Sequence, residues 1–384
     1  VTTLRTEPVR RGLDALARSG LPWDAFAAGA VDLLRRAVPF DASCVGPADP
    51  ATGLLTGSVK TGMGNERDTE FLQHEYVHDS VNLFLDLVRR PVPVAVLSED
   101  TGGRPELATR YTELFMPTWN LGHEVRVAGV LDGRPWVGFA LYRASGVGGF
   151  SPAEAEFLAS VAPVVALGVR VGLVADAGAR LHDDVPVPGP AVLVVGPDDT
   201  VVQASTAAQG RIADLGGTTW GQLPSPVAAI VAAARAMATG RSDVVPRLRV
   251  RARSGRWLVV HASPLATADG AAAQVAVTIE EAGPADVVPL VVAALGLTGR
   301  ERDVLAAVVQ GASTQEMARQ LHLSPYTVQD HLKVIFEKAG VRSRRELIAK
   351  VVLDQYAPRY GGRLGASGWF VDAPPVAAPV STPA

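Results

Sequence analysis

The sequence predicts a multidomain chain: two α+β units built on antiparallel sheets, followed by an all-α unit of four short helices. Three observations carry this reading. A length of 384 residues exceeds what one ordinary core organises. Between residues 42 and 280, short strand-like runs alternate with turn dipeptides and helical patterns. Beyond residue 297, helix-start signals recur at short intervals with no strand pattern between them.

The first unit opens with helical stripes, Leu13, Leu16 and Ala17, then Phe26, Ala30, Leu33 and Leu34. Strand-like runs Ala42 to Val45 and Leu54 to Val59 flank the turn Pro50, Ala51, Thr52, Gly53. His123 to Val130 and Pro135 to Tyr142 flank Asp132 and Gly133, a hairpin dipeptide. Ser151, Pro152 and Glu154 supply an N-cap, a first-turn proline and a capping-box glutamate for an apolar helix running to about Val174. A Pro-rich stretch, Ala175 to Pro190, reads as a linker.

The second unit begins with strands Ala191 to Val195 and Val201 to Ala204 around Pro197, Asp198 and Asp199. Helical patterns follow at Thr206 to Leu215 and Pro226 to Met237. Three further strands, Val244 to Arg251, Arg256 to Pro264 and Ala272 to Glu280, are joined by turns at Ser254–Gly255 and Asp269–Gly270. Two strands, helices, then three strands is an order that closes into one five-stranded sheet. The tail after Tyr360 lacks a periodic apolar pattern and is expected to be disordered.

Composition bounds the function. Cys44 is the sole cysteine, which excludes an intramolecular disulfide and a thiolate metal cage. A formal net charge of -3 means that any nucleic-acid contact must come from a local basic surface. No uninterrupted apolar stretch approaches the roughly 18 to 20 residues of a membrane span, and no basic region precedes an apolar run near residue 1, so a cytoplasmic protein without membrane association is expected.

In the last unit, Thr298 with Glu301, Ser313 with Glu316 and Ser343 with Glu346 have capping-box spacing. Gly311 and Gly340 stand where helix C-termini favour positive φ. The expected helices span about 300–310, 314–321, 325–339 and 344–356, with Ser324 capping the third and Pro325 opening it. His322, Leu323 and Ser324 form the tight connection of a helix-turn-helix. Val328, Leu332, Ile335 and Ala339 make an inward stripe on the third helix, opposite Tyr326, Gln329, Asp330, Lys333 and Glu337. The polar members of that outer set suit base edges. Arg342, Arg344 and Arg345, at the start of the fourth helix, suit phosphate oxygens.

Residues 297 to 350, roughly the last sixth of the chain, resemble the LuxR-type helix-turn-helix family. The resemblance rests on Leu297, Thr298, Arg300, Glu301, Val304, Leu305, Gly311, Ser313, Glu316, Met317, Ala318, Leu321, Ser324, Thr327, Val328, His331, Ile335, Lys338, Gly340, Val341 and Arg344. It implies a third helix in the major groove with Gln329, Asp330 and Lys333 at base-reading positions and a fourth helix that contributes to dimerisation. The DNA-binding set is then Ser324, Tyr326, Thr327, Gln329, Asp330, Lys333, Lys338, Arg342, Arg344 and Arg345. Thr314 and Gln329 depart from the family pattern, which often has asparagine and lysine there.

The element order of residues 10–175 is similar to a GAF domain and that of residues 186–283 to a PAS domain. The organisation expected is therefore a GAF-like sensor at 10–175, a PAS-like domain at 186–283, the helix-turn-helix at 287–356 and a tail at 361–384. Each sheet either encloses a pocket for a small-molecule effector or is filled by side chains that position the DNA-binding unit. No phosphorylation receiver is present in the pattern.

One enzymatic alternative comes from His74, Glu75 and His78, the H-E-x-x-H pattern of zinc hydrolases. A metzincin-like continuation is missing, since Val81 and Phe84 stand where glycine and histidine belong. The expectation is accordingly a non-enzymatic regulator with no metal or cofactor, acting as a homodimer on double-stranded DNA at an inverted repeat.

Overall fold

The structure, a computed structural model, describes residues 6–78, 81–174, 191–217, 221–266, 274–353 and two short strands at 363–364 and 370–371. Two compact units form, one from the described residues up to 282 and one from residue 283 onward. The expected linker at Ala175 to Pro190 lies outside the described residues.

The first unit contains α1 (Thr6–Ala17), α2 (Trp23–Arg35), β1 (Ala42–Pro47), β2 (Val59–Thr61), α3 (Asp68–Tyr76), α4 (Phe84–Leu87), β3 (Val94–Val96), α5 (Leu97–Asp100), α6 (Met116–Trp119), β4 (Leu121–Leu131), β5 (Arg134–Ala144) and α7 (Pro152–Val174). The strands make an antiparallel sheet in the order β2-β1-β5-β4-β3. At the β4–β5 hairpin, Asp132 and Gly133 both take positive φ, +52° and +71°, the geometry of a turn matched to strand twist. The strand expected over Leu54 to Val59 is displaced: only an Ala48–Leu55 bridge forms there, and β2 begins at Val59.

Side-chain alternation divides the sheet. Val45, Val137, Phe139 and Leu141 are buried, and α7 packs with α1 and α2 on one side of the sheet. α7 opens as expected, with the Ser151 N–H donating to Glu154 Oε2 at 2.8 Å. Gly168 lets α7 approach α2, because a Cβ there would lie 2.0 Å from Cζ of Phe26. By length and composition α7 is, among the described residues, the one helix that meets the requirement of a membrane span. Glu154, Glu156 and Arg170 interrupt its apolar run, and 56% of its most apolar stretch is buried within the unit, as in a core helix.

The same unit continues with β6 (Ala191–Val195), β7 (Val201–Ala204), α8 (Ala208–Asp214), α9 (Ser225–Ala238), β8 (Arg247–Arg251), β9 (Trp257–Pro264) and β10 (Val275–Glu281). The second sheet is antiparallel in the order β7-β6-β10-β9-β8, so both sheets place their strands in the same succession. α9 is Ala-rich and buried nearly all round. Its position explains this: it lies against β8, β9 and β10 on one side and α3 on the other. The turn expected at Asp269–Gly270 falls outside the described residues.

The second unit holds α10 (Pro284–Ala294), α11 (Gly299–Val309), α12 (Thr314–Leu321), α13 (Pro325–Ala339) and α14 (Arg344–Ile348), the last continuing as a π-helical turn over Ala349–Leu353. Val304, Leu305, Met317, Val328, Ile335 and Leu347 are central to its core. In the tail, expected to be unstructured, β11 (Arg363–Leu364) and β12 (Phe370–Val371) pair antiparallel; the rest of 361–384 lies outside the described residues.

Candidate nucleic-acid interface

Local chemistry fixes the four helix starts. Thr298, Ser313, Ser324 and Ser343 each accept a hydrogen bond from the backbone N–H three residues on, at 3.0 to 3.3 Å. Glu301 and Glu316 return the bond to the capping residues' N–H groups, at 2.8 and 2.7 Å. Glu346 instead accepts from the Arg342 N–H and the Ser343 hydroxyl, which hold its carboxyl below the ordinary carboxylate value. Gly311 and Gly340 take φ of +83° and +63° at the helix ends where the sequence predicts positive φ.

The turn between α12 and α13 holds one feature the sequence did not flag. His322 caps α12 in the left-handed region, φ +55°, and the Leu323 N–H reaches back to the Ala318 carbonyl at 2.9 Å. Histidine is several-fold enriched in that region among non-glycine residues, which is the only available signal. The turn delivers Ser324 and Pro325 to the start of α13, whose Val328, Leu332, Ile335 and Ala339 are all buried.

On its other side α13 presents Tyr326, Gln329, Asp330 and Lys333, spaced so that they share one face. All four are exposed, Tyr326 at 74%, and none has a hydrogen-bond or ion-pair partner among the described residues. Their polar capacity is unspent. Thr327 is half-buried and bonded to the Ser324 hydroxyl at 2.9 Å, so these two residues serve the cap.

The basic residues divide. Arg342 and Arg345 are exposed, and their guanidinium groups have no partner among the described residues. Arg344 is half-buried and donates to Thr314 Oγ1 at 2.7 Å and the Ala312 carbonyl at 3.4 Å, tying the start of α14 to that of α12. Lys338 donates to Glu301 Oε2 at 2.6 Å and the Gly296 carbonyl at 3.2 Å. Burial pushes the Glu301 carboxyl up, but Lys338 and the Thr298 N–H outweigh it and hold the group below its usual value. Both cations thus act inside the unit, a use that sequence spacing could not show.

The model of the family "Bacterial regulatory proteins, luxR family" matches residues 295–351. The spore germination protein GerE of Bacillus subtilis is 36% identical over 56 residues, 15% of this chain and 76% of that protein. The chain belongs to the LuxR family of bacterial regulatory proteins. The monoamine regulon transcriptional regulator of Klebsiella aerogenes is 44% identical over 54 residues, 14% of this chain. The LuxR-family chain spans only 24% of that relative's length. Its fold is also similar to a GAF domain/HD domain protein from Geobacter sulfurreducens, with TM-score 0.29 and 19% identity over 38% of this chain and 92% of that one.

The zinc-peptidase pattern is put to another use in the structure. α3 ends at Tyr76, so His78 lies beyond the helix that the pattern needs. Glu75 is 2% exposed, and its two carboxylate oxygens accept from the Phe84 N–H at 2.6 Å and Arg126 Nη1 at 2.7 Å. Arg126 also bonds Glu124, which Arg110 holds in turn, a buried network of alternating charge. His74 Nδ1 lies 3.1 Å from Thr109 Oγ1 and 3.4 Å from His78 Nδ1. Among the described residues no three His, Cys, Asp or Glu side chains gather to hold a metal ion. Cys44 is half-buried, and burial pushes its thiol up to about 11, which keeps it protonated at neutral pH. His261 sits exposed on β9.

Proposed function

We propose that this LuxR-family chain is a cytoplasmic, sequence-specific transcription regulator that binds double-stranded DNA as a homodimer through α13 and is modulated by its first unit. The observation that carries the reading is the unspent polar face of α13, held rigid by a buried stripe behind it and a capped tight turn before it. Buried polar groups seek partners, and exposed ones on a rigid helix are free to meet base edges. Gln329, Asp330 and Lys333 read bases, with Tyr326 beside them; Arg342 and Arg345 grip phosphates. Ser324, Thr327, Lys338 and Arg344 complete the DNA-binding set by shaping its platform.

In this reading residues 10–175 form a GAF-like domain, 186–283 a PAS-like domain and 287–356 the output. The two strand successions support the first two assignments. A two-fold dimer engages half-sites about one helical turn apart. The test is selection of bound fragments from a random duplex pool by the full chain at low salt, followed by sizing of the complex. An enriched inverted repeat bound by two chains is expected; failure to retain any duplex overturns the proposal.

A further inference from the structure

The first sheet has a hollow face. Cys44 pairs with Ala140 and Gly46 with Gly138 across β1 and β5, so small residues stand side by side on the face turned away from α7. Phe71 of α3 and Phe84 of α4 cover them, leaving a cleft of about 450 Å³ including its open mouth. The unfilled centre admits only about one water. Phe84 accounts for this, since a Cβ on Gly138 would lie 3.0 Å from its ring.

Two polar groups in the cleft have capacity to spare. Tyr142, 1% exposed, has no hydrogen-bond partner for its hydroxyl among the described residues. Lys60 uses its ammonium on Asp68 and on the Gly64 carbonyl at 3.3 Å, leaving one of three donors. Lys60 and Asp68 cancel in charge, so an ionised ligand would enter without a counter-charge and lose its hydration. A neutral acceptor carries no such penalty. Asp68 faces two ways: its second oxygen accepts from Ser225 Oγ at 2.7 Å, at the first turn of α9.

We propose that this cleft binds a small uncharged molecule with an apolar body and a single carbonyl oxygen, and that Asp68 passes its arrival through Ser225 to α9. The ligand displaces the Phe84 ring from Gly138 and places its oxygen against Lys60 and Tyr142. The redirected ammonium loosens its hold on Asp68, and the Asp68–Ser225 bond changes with it. This deepens the reading of a regulated DNA-binding protein and rests on it.

The experiment titrates the full chain with acetophenone, ethylbenzene and benzoate by calorimetry. Saturable acetophenone binding is expected, with ethylbenzene at least about tenfold weaker for want of the hydrogen bonds its missing oxygen would accept and benzoate inert. Phe84→Ala opens the cleft and tightens acetophenone binding, Tyr142→Phe shrinks the difference between acetophenone and ethylbenzene, and Ala140→Leu fills the cleft and abolishes binding. Amide exchange across residues 225–231 changes on acetophenone addition in the wild type and not in Ser225→Ala. No binding by either wild type or Phe84→Ala, undiminished binding in a folded Ala140→Leu, or tighter binding of benzoate overturns the ligand class. Unaltered exchange in α9 despite binding overturns the relay. Duplex retention is measured on the same samples: intact retention without acetophenone binding sinks only this inference, whereas absent retention sinks the regulator reading.

Discussion

Asp49 holds Arg249 by three hydrogen bonds, accepting from its backbone N–H at 2.8 Å, from Nε at 2.9 Å and from Nη2 at 2.7 Å. Asp49 follows β1 of the first sheet, and Arg249 lies on β8, the edge strand of the second. One carboxylate therefore satisfies a backbone N–H at the edge of the second sheet and ties that edge to the first sheet.

Both side chains are under 10% exposed, so removing Asp49 strips three hydrogen bonds and the facing charge from a buried arginine. Asp49→Ala is expected to cost about 3–5 kcal/mol of stability, read from urea unfolding of the full chain. Burial raises the Asp49 carboxyl, but the Arg249 bonds and charge prevail and lower it below the usual aspartate value. A lowered folded value means that the stabilisation is complete above the ordinary aspartate range and is lost as pH falls through the depressed one. Acid unfolding of wild type and Asp49→Asn should converge there; parallel curves would refute the linkage.

At the DNA face, Lys333→Ala is expected to weaken binding to a selected operator by about 1–3 kcal/mol, measured by fluorescence anisotropy. Binding to unrelated duplex should fall much less. Equal losses on both would place Lys333 on phosphate.

The split among the basic residues has its own signature. Arg342→Ala and Arg345→Ala should each lower the slope of log affinity against log salt by about one contact. Lys338→Met should leave that slope unchanged and lower the stability of the second unit by about 1 kcal/mol, discounted because Lys338 is one-third exposed. A shallower slope in Lys338→Met would return that residue to the phosphate set.

Elemental analysis of the purified chain should give no stoichiometric zinc, and His74→Ala should retain duplex like the wild type. Glu75→Gln should instead lower thermal stability, because Glu75 anchors Arg126 and the start of α4. One zinc per chain, lost in His74→Ala, would reopen the hydrolase alternative.

What the sequence shows plainly is local chemistry. Asp132–Gly133, the capping boxes at Thr298 and Ser313, the Ser343 N-cap, and Gly311 and Gly340 specify backbone states within a few residues, and the structure adopts them; only the expected return bond from Glu346 to the Ser343 N–H goes to the Arg342 N–H instead. Displacement of the strand expected over Leu54 to Val59 has a steric setting that no pattern encodes: the chain runs so close that a Cβ on Gly46 would lie 2.4 Å from the Gly57 carbonyl oxygen. β3 is three residues long and follows Pro91 and Pro93, too short for alternation to show. The commitments of Lys338 to Glu301 and Asp49 to Arg249 join residues 37 and 200 positions apart, and no spacing rule reaches that far. The face of α13 was legible because one helix carries both its buried stripe and its outward set.

The shared strand succession also sets a timetable for the nascent polypeptide. Ala42 waits for Tyr142, and Ala191 for Ile279, so in each sheet one edge of the first strand must stay open until the last strand has left the ribosome. Helices α10 to α14 of the second unit, closed by neighbours in the chain, need no such delay. The second unit is thus the quicker to assemble, and a chain stalled before residue 142 would hold β1 paired with β2 on one side but open on the other, an edge prone to aggregate.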